Sequence, residues 1–131
     1  MIILDASVLS AYLDGHDAHH ALAEDLLARE IDDDLAANPL TLAEVLVAPA
    51  RDGRLEEVRA ALDDLEVHEA GFPAGTAVKL AQLRASTGLR MPDCCVLLAA
   101  QACGARLASF DAALLRAAAA QGLAGVGTSL A

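Results

Sequence analysis

The chain opens with four consecutive apolar residues, Met1-Ile-Ile-Leu4, and the run ends at Asp5. A strand with one wet face alternates apolar and polar side chains, so an unbroken apolar run implies a strand covered on both faces. Further strand candidates follow at Leu35–Ala37, Val67–Ala70, Arg106–Ser109 and Leu123–Val126, with helical spacing between them. Such strand–helix alternation implies an α/β layer structure, a mostly parallel sheet of about four to five strands with right-handed crossovers.

The intervening segments carry helix signals. Ala6–Leu13 reads as a short helix broken by Asp14-Gly15-His16-Asp17, and Ala18 to about Arg29 as a second. In the second, Leu22 and Leu26 share a face and Asp25 pairs with Arg29 one turn on. Asn38-Pro39 ends the second strand. Thr41–Ala50 reads as a helix closed by Pro49 and Gly53, and Arg54–Leu65 as one with Leu55, Val58, Leu62 and Leu65 on one stripe. Thr76–Ser86 stops at Gly88, Pro92–Cys103 has proline near its first turn and Gly104 as its cap, and Ala112–Gln121 ends at Gly122.

Composition removes several functions. At 131 residues and 56% hydrophobic, one domain over 1–131 is expected, able to bury a core without disulfides. Aromatics are 2% and tryptophan is absent, so stacking platforms for single-stranded nucleic acid are not on offer. Nine Lys plus Arg against nineteen Asp plus Glu give a net charge of −10, which argues against broad phosphate binding and would suit a basic protein partner. Cys94, Cys95 and Cys103 form no disulfide framework or CxxC zinc pattern and are read as small hydrophobes on one helix. Asp5 follows Met1 too closely for a secretory leader, and no apolar run approaches the ~18 residues of a membrane helix, so a cytoplasmic protein is expected.

The chemistry concentrates in four carboxylates, each next to a short apolar run where a helical pattern begins: Asp5 in Ile-Leu-Asp5-Ala-Ser7, Glu44 in Thr41-Leu-Ala-Glu44, Asp93 in Met91-Pro-Asp93-Cys, and Asp111 in Ala108-Ser-Phe-Asp111. Singly, each has an ordinary explanation, because helix starts favour carboxylates. Asp5 and Asp111 read as N-caps and Asp93 as a first-turn acid. Glu44 completes a Thr41-x-x-Glu44 capping box with Leu40 and Val45 as its staple. Together they point elsewhere. Parallel strands would gather these joints on one sheet edge, where two unit charges 4 Å apart repel by roughly 4 kcal/mol at an effective dielectric of about 20. Clustered acids raise their own pKa values or recruit a cation, and an all-carboxylate set suits Mg²⁺ or Mn²⁺ and phosphodiester chemistry.

Ser7 could orient a metal-bound water or a phosphate oxygen, or bond locally in the first helical turn. Ser109 could bond to Asp111 or a helix end. His16, His19 and His20 look like a metal tract but lie in a polar loop and read as solvated. Arg84 and Arg90 are read as a solvated face, with steering of RNA or pairing with acids as the alternatives.

These strings, with Ala43-Glu44-Val45, Leu89-Arg90-Met91-Pro92-Asp93 and its Leu97-Leu98-Ala99-Ala100 helix, and Leu107-Ala-Ser109-Phe-Asp111, resemble the PIN-domain ribonucleases, and among them the VapC toxins of bacterial toxin–antitoxin pairs. The resemblance runs over essentially the whole chain and rests on the order and spacing of the strings. It implies a central parallel sheet with helices on both faces, in which Asp5, Glu44, Asp93 and Asp111 hold one or two Mg²⁺ or Mn²⁺ ions. It also implies a metal-activated water that cleaves RNA, with Ser7 as the small polar residue beside the first Asp. A cognate antitoxin seated in an apolar groove and a homodimer are implied too. Where the family often has Thr, this chain has Ser109. Two other readings remain open: a catalytically silent module of the same fold, and a receiver-like phosphoacceptor domain, which would need a lysine near the acids where the chain offers only Lys79.

Overall fold

A computed structural model describes residues 1–127 of the chain. The remaining four positions of the expected domain, 128–131, lie outside the described residues. The strands are β1 (Ile2–Leu4), β2 (Leu35–Ala37), β3 (Val67–Glu69), β4 (Arg106–Ala108) and β5 (Gly125–Val126). The helices are α1 (Ala6–Leu13), α2 (His20–Arg29), α3 (Pro39–Arg51), α4 (Leu55–Asp64), α5 (Thr76–Thr87), α6 (Met91–Cys103) and α7 (Ala112–Ala120). Among the described residues the strands form one sheet in the order β3-β2-β1-β4-β5, and every neighbouring pair is parallel. The expected α/β layers are therefore present, with a fully parallel sheet.

The unbroken apolar run of β1 has the expected consequence. Successive side chains point to opposite faces, so Ile2 and Leu4 enter one core while Ile3 enters the other. The neighbours in register follow suit: Leu35, Ala37 and Ala108 join the first core, and Ala36 and Leu107 the second. Val8 and Leu9 of α1, Leu26 and Leu27 of α2 and Val58 and Leu62 of α4 close the first face. Leu83 of α5, Cys94 with Val96–Ala100 of α6 and Leu114 and Ala118 of α7 close the second.

Several local expectations need correction. The third helix begins at Pro39, two residues before Thr41, and its cap is Asn38, whose Oδ1 accepts the Thr41 N–H at 3.0 Å. Proline fits the first helical position because its missing N–H would have no partner there. Glu44 therefore sits in the second turn, and the Thr41–Glu44 capping box does not form. Pro49 lies inside the last turn of α3 and does not close it. On α2 the buried face is Ala23, Leu26 and Leu27, while Leu22 is exposed. Cys94 and Cys95 pack as small hydrophobes, but Cys103 is exposed. The Asp25–Arg29 pair forms as expected, at 3.4 Å.

Candidate metal centre

In a parallel sheet all carboxyl ends lie on one edge, and sites form where strand order reverses. Here the reversal lies between β1 and β4, since β2 follows β1 on one side and β4 flanks it on the other. The chain leaves β1 through Asp5 and β4 through Ser109-Phe110-Asp111.

Asp5 forms the floor. It is 5% exposed, and its Oδ1 accepts the Val8 N–H at 3.1 Å, capping α1. Two hydroxyls complete its shell. Ser7 donates to Oδ1 at 2.7 Å, and Ser109 donates to Oδ2. Each hydroxyl also accepts a backbone N–H from the loop after β4: Ser7 from Phe110 at 3.0 Å, Ser109 from Asp111 at 2.9 Å. Two serines thus tie the exits of β1 and β4 together through one buried carboxylate. Burial pushes the Asp5 carboxyl above its ordinary value; the Ser109, Ser7 and Val8 hydrogen bonds pull the other way, and the Asp111 charge adds to the rise.

The other three acids stand around this floor. Asp93 lies in the first turn of α6, its side chain 18% exposed. Burial raises its carboxyl above the ordinary range; Arg90 opposes the rise, and the charges of Asp111, Asp5 and Glu44 reinforce it. Asp111 caps α7 through Oδ1 alone, which accepts the Ala113 and Leu114 N–H groups at 2.8 and 3.3 Å. Glu44 is exposed on α3, a helix aimed by the fully buried Asn38, whose Nδ2 also donates to the Thr41 hydroxyl at 3.0 Å. All four acids, with Ser7, Thr41 and Arg90, line one open cavity of about 110 Å³.

Two larger hollows, of about 480 and 630 Å³, open elsewhere on the molecule. Neither includes any of these four acids. Volume alone is a weaker guide than convergent charge at a strand-order reversal, so the small cavity is the candidate site. Lys79 is not among the residues lining it, which removes the lysine that a receiver-like site would need.

The PIN domain family model matches residues 2–120. The chain belongs to the PIN domain family. Solved structures agree on the fold of this PIN domain. It is 17% identical to VapC20 of Mycobacterium tuberculosis, a sarcin–ricin loop cleaving toxin, at a TM-score of 0.70 over 97% of this chain and 99% of that one. It is 17% identical to VapBC2 of Rickettsia felis bound to a promoter DNA fragment, at 0.73 over 95% and 97%. It is 20% identical to FitAcB of Neisseria gonorrhoeae, at 0.71 over 97% of each chain. No curated protein sequence matches the chain.

Some residues that shape this PIN domain's acidic cavity escape a sequence reading. Asn38 reads as a strand terminator, yet it caps and aims α3. An Asn-Pro pair before an apolar helix carries that signal, because Asn is a strong cap and Pro a preferred first helical residue. Ser109 was a candidate partner for Asp111, and it does accept the Asp111 N–H; its bond to Asp5, 104 residues away, has no local signal. The histidines stay out of the cavity. His20 is not simply solvated: its ring lies 2.8 Å from the Ala11 carbonyl through Nδ1 and 3.2 Å from Glu24 through Nε2.

Proposed function

We propose that this chain is a metal-dependent endoribonuclease acting as the toxin of a toxin–antitoxin pair, its whole length one PIN domain. The observation that carries the reading is the meeting of Asp5, Glu44, Asp93 and Asp111, from four separate segments, on one cavity at the reversal of strand order. Stability alone would not assemble it. Capping accounts for Asp5 and Asp111 individually, but it does not require Asp93 to feel the charge of the other three.

The donor set fits a hard divalent cation. It consists of carboxylate and hydroxyl oxygens, with no His or Cys in the cavity. Among the described residues no three His, Cys, Asp or Glu side chains stand close enough together to hold a metal ion as they lie. Mg²⁺ and Mn²⁺ keep several waters and need only a few carboxylates. Asp5, Asp93, Asp111 and Glu44 would hold the ion, which when bound would lower the pKa of a water and offset charge on the phosphoryl group.

The protein's own side chains set the stage for that chemistry. Ser7 and Ser109 lock the Asp5 carboxylate in one orientation and favour its ionised form. Asp111 holds its carboxylate against the start of α7 through one oxygen, which leaves Oδ2 for the cavity. Glu44, exposed on α3, lines the cavity from the helix that follows β2, on the other side of β1 from β4, and would hold the ion from there.

The substrate is RNA, the partner a cognate antitoxin, and the working form a homodimer in the cytoplasm. The similarity to solved toxin–antitoxin assemblies supports the antitoxin; no described helix is long and apolar enough to cross a membrane. The test is direct. Purified protein should cut RNA with Mg²⁺ or Mn²⁺ and lose that activity in Asp5→Asn and Asp93→Asn. An Asp5→Asn protein that cuts as fast as the parent would refute the assignment.

A further inference from the structure

A cavity of four acids on a chain of net charge −10 repels the very phosphates it would cleave. Most of the cations are engaged elsewhere. Arg29 pairs with Asp25, Arg51 with Asp52, Arg54 with Glu57, Arg59 with Glu56, and Arg106 with Glu30 and Asp33. Among the described Lys and Arg residues, Arg90 alone lines the acidic cavity.

Its setting is unusual for a merely neutralising charge. The Arg90 side chain is 81% exposed, and Nε stands 3.9 Å from Asp93 Oδ2, at the outer edge of an ion pair and beyond hydrogen-bond reach. Such a pair contributes little and is given up at little cost. The backbone beneath it is firm, since the Arg90 carbonyl accepts the Cys94 N–H at 3.1 Å at the start of α6. A rigid root with a loosely held head suits a residue that exchanges partners. The planar guanidinium matches a phosphate through two parallel hydrogen bonds, which a lysine cannot reproduce.

The geometry points to Arg90 as the residue that binds substrate at this site: its guanidinium leaves Asp93 to hold an RNA phosphate beside the one presented to the acids. This inference rests on the nuclease reading above.

Two measurements on the intact protein test it. One is Mn²⁺ binding by calorimetry; the other is anisotropy of a labelled single-stranded RNA oligonucleotide with Ca²⁺ across a salt series. Arg90→Gln should bind Mn²⁺ at least as tightly as the parent, because a positive charge next to the acids is gone. Its RNA affinity should fall roughly tenfold, with a salt slope shallower by about 0.7. Arg90→Lys should restore the slope but only part of the affinity. Unchanged RNA affinity in Arg90→Gln, beside a parent that binds Mn²⁺ and cleaves RNA, overturns the Arg90 assignment and spares the nuclease reading. Weaker Mn²⁺ binding in Arg90→Gln also overturns it, since the residue would then serve the acids. A parent that binds neither Mn²⁺ nor RNA overturns both.

Discussion

Ser109→Ala removes one oxygen and breaks two connections at once. The Ser109 hydroxyl donates to the buried Asp5 carboxylate and accepts the Asp111 N–H, and the residue is fully buried. A hydrogen bond to a charged group is worth about 1.5–3 kcal/mol, and a neutral one about 0.5–1.5 kcal/mol. The variant should therefore be less stable by roughly 2–4 kcal/mol at neutral pH. For a chain of this size that corresponds to a fall in Tm of roughly 10 °C.

The loss should depend on pH, with a defined sign. The folded-state pKa of Asp5 is raised, chiefly by burial, so its stabilising contribution is present at low pH and lost as pH rises through that value. The Ser109 bond opposes the rise. Removing it raises the carboxyl further and enlarges the penalty only where Asp5 is ionised. Urea unfolding at about pH 8 should show the full penalty, and below the ordinary carboxyl value of 3.8 a penalty reduced toward the neutral hydrogen bond alone. Ser109→Thr keeps the hydroxyl and should recover most of the loss. An alanine variant within about 0.5 kcal/mol of the parent, or an equal penalty at both pH values, would refute the reasoning.

Other perturbations probe the supports. Asn38→Ala removes both partners of buried Thr41 and the cap of α3, and should cost about 2–3 kcal/mol in chemical denaturation while weakening Mn²⁺ binding through a misplaced Glu44. Arg106→Leu should flatten the acid limb of stability. Arg106 holds Glu30 below its ordinary value, and the Met1 amino group and then Arg106 hold Asp33 at about 2. That stabilisation is present at neutral pH and lost as pH falls through the lowered values. The parent and variant stability curves should therefore converge in acid, and a gap that stays constant down to about pH 2 would contradict this.

Much of the fold can be read from residue pattern. The run Met1–Leu4 announces a strand buried on both faces, and β1 divides its side chains between the two cores. Helix ends marked by Gly88 and Gly104 lie where glycine's left-handed conformation is required, at φ of 70° and 58°. The start of α3 is ambiguous in sequence because Thr41-x-x-Glu44 satisfies a capping pattern as well as Asn38 does, and the buried Asn38, which accepts the Thr41 N–H, decides between them. Cys103 lies beyond the buried stretch of α6, which ends at Ala100, and Gln101 is the polar residue that marks the change to the exposed end. Asp5 and Asp111 are legible as strand–helix joints and Asp93 as a first-turn acid, whereas Glu44 lies one turn inside its helix. The serine bonds that tie β1 to β4 are not legible, since they join residues about a hundred positions apart and depend on strand order.

The claim that these acids exist to hold a divalent cation is tested most directly by Mn²⁺ calorimetry of the metal-free protein across a falling pH series. The account predicts saturable binding that weakens as pH falls, because burial raises the Asp5 and Asp93 carboxyls above the ordinary range and protons then compete with the ion for them. It predicts loss of binding in Asp5→Asn and Asp93→Asn variants that remain folded. No heat of binding by the parent, or binding that survives both substitutions, would contradict it.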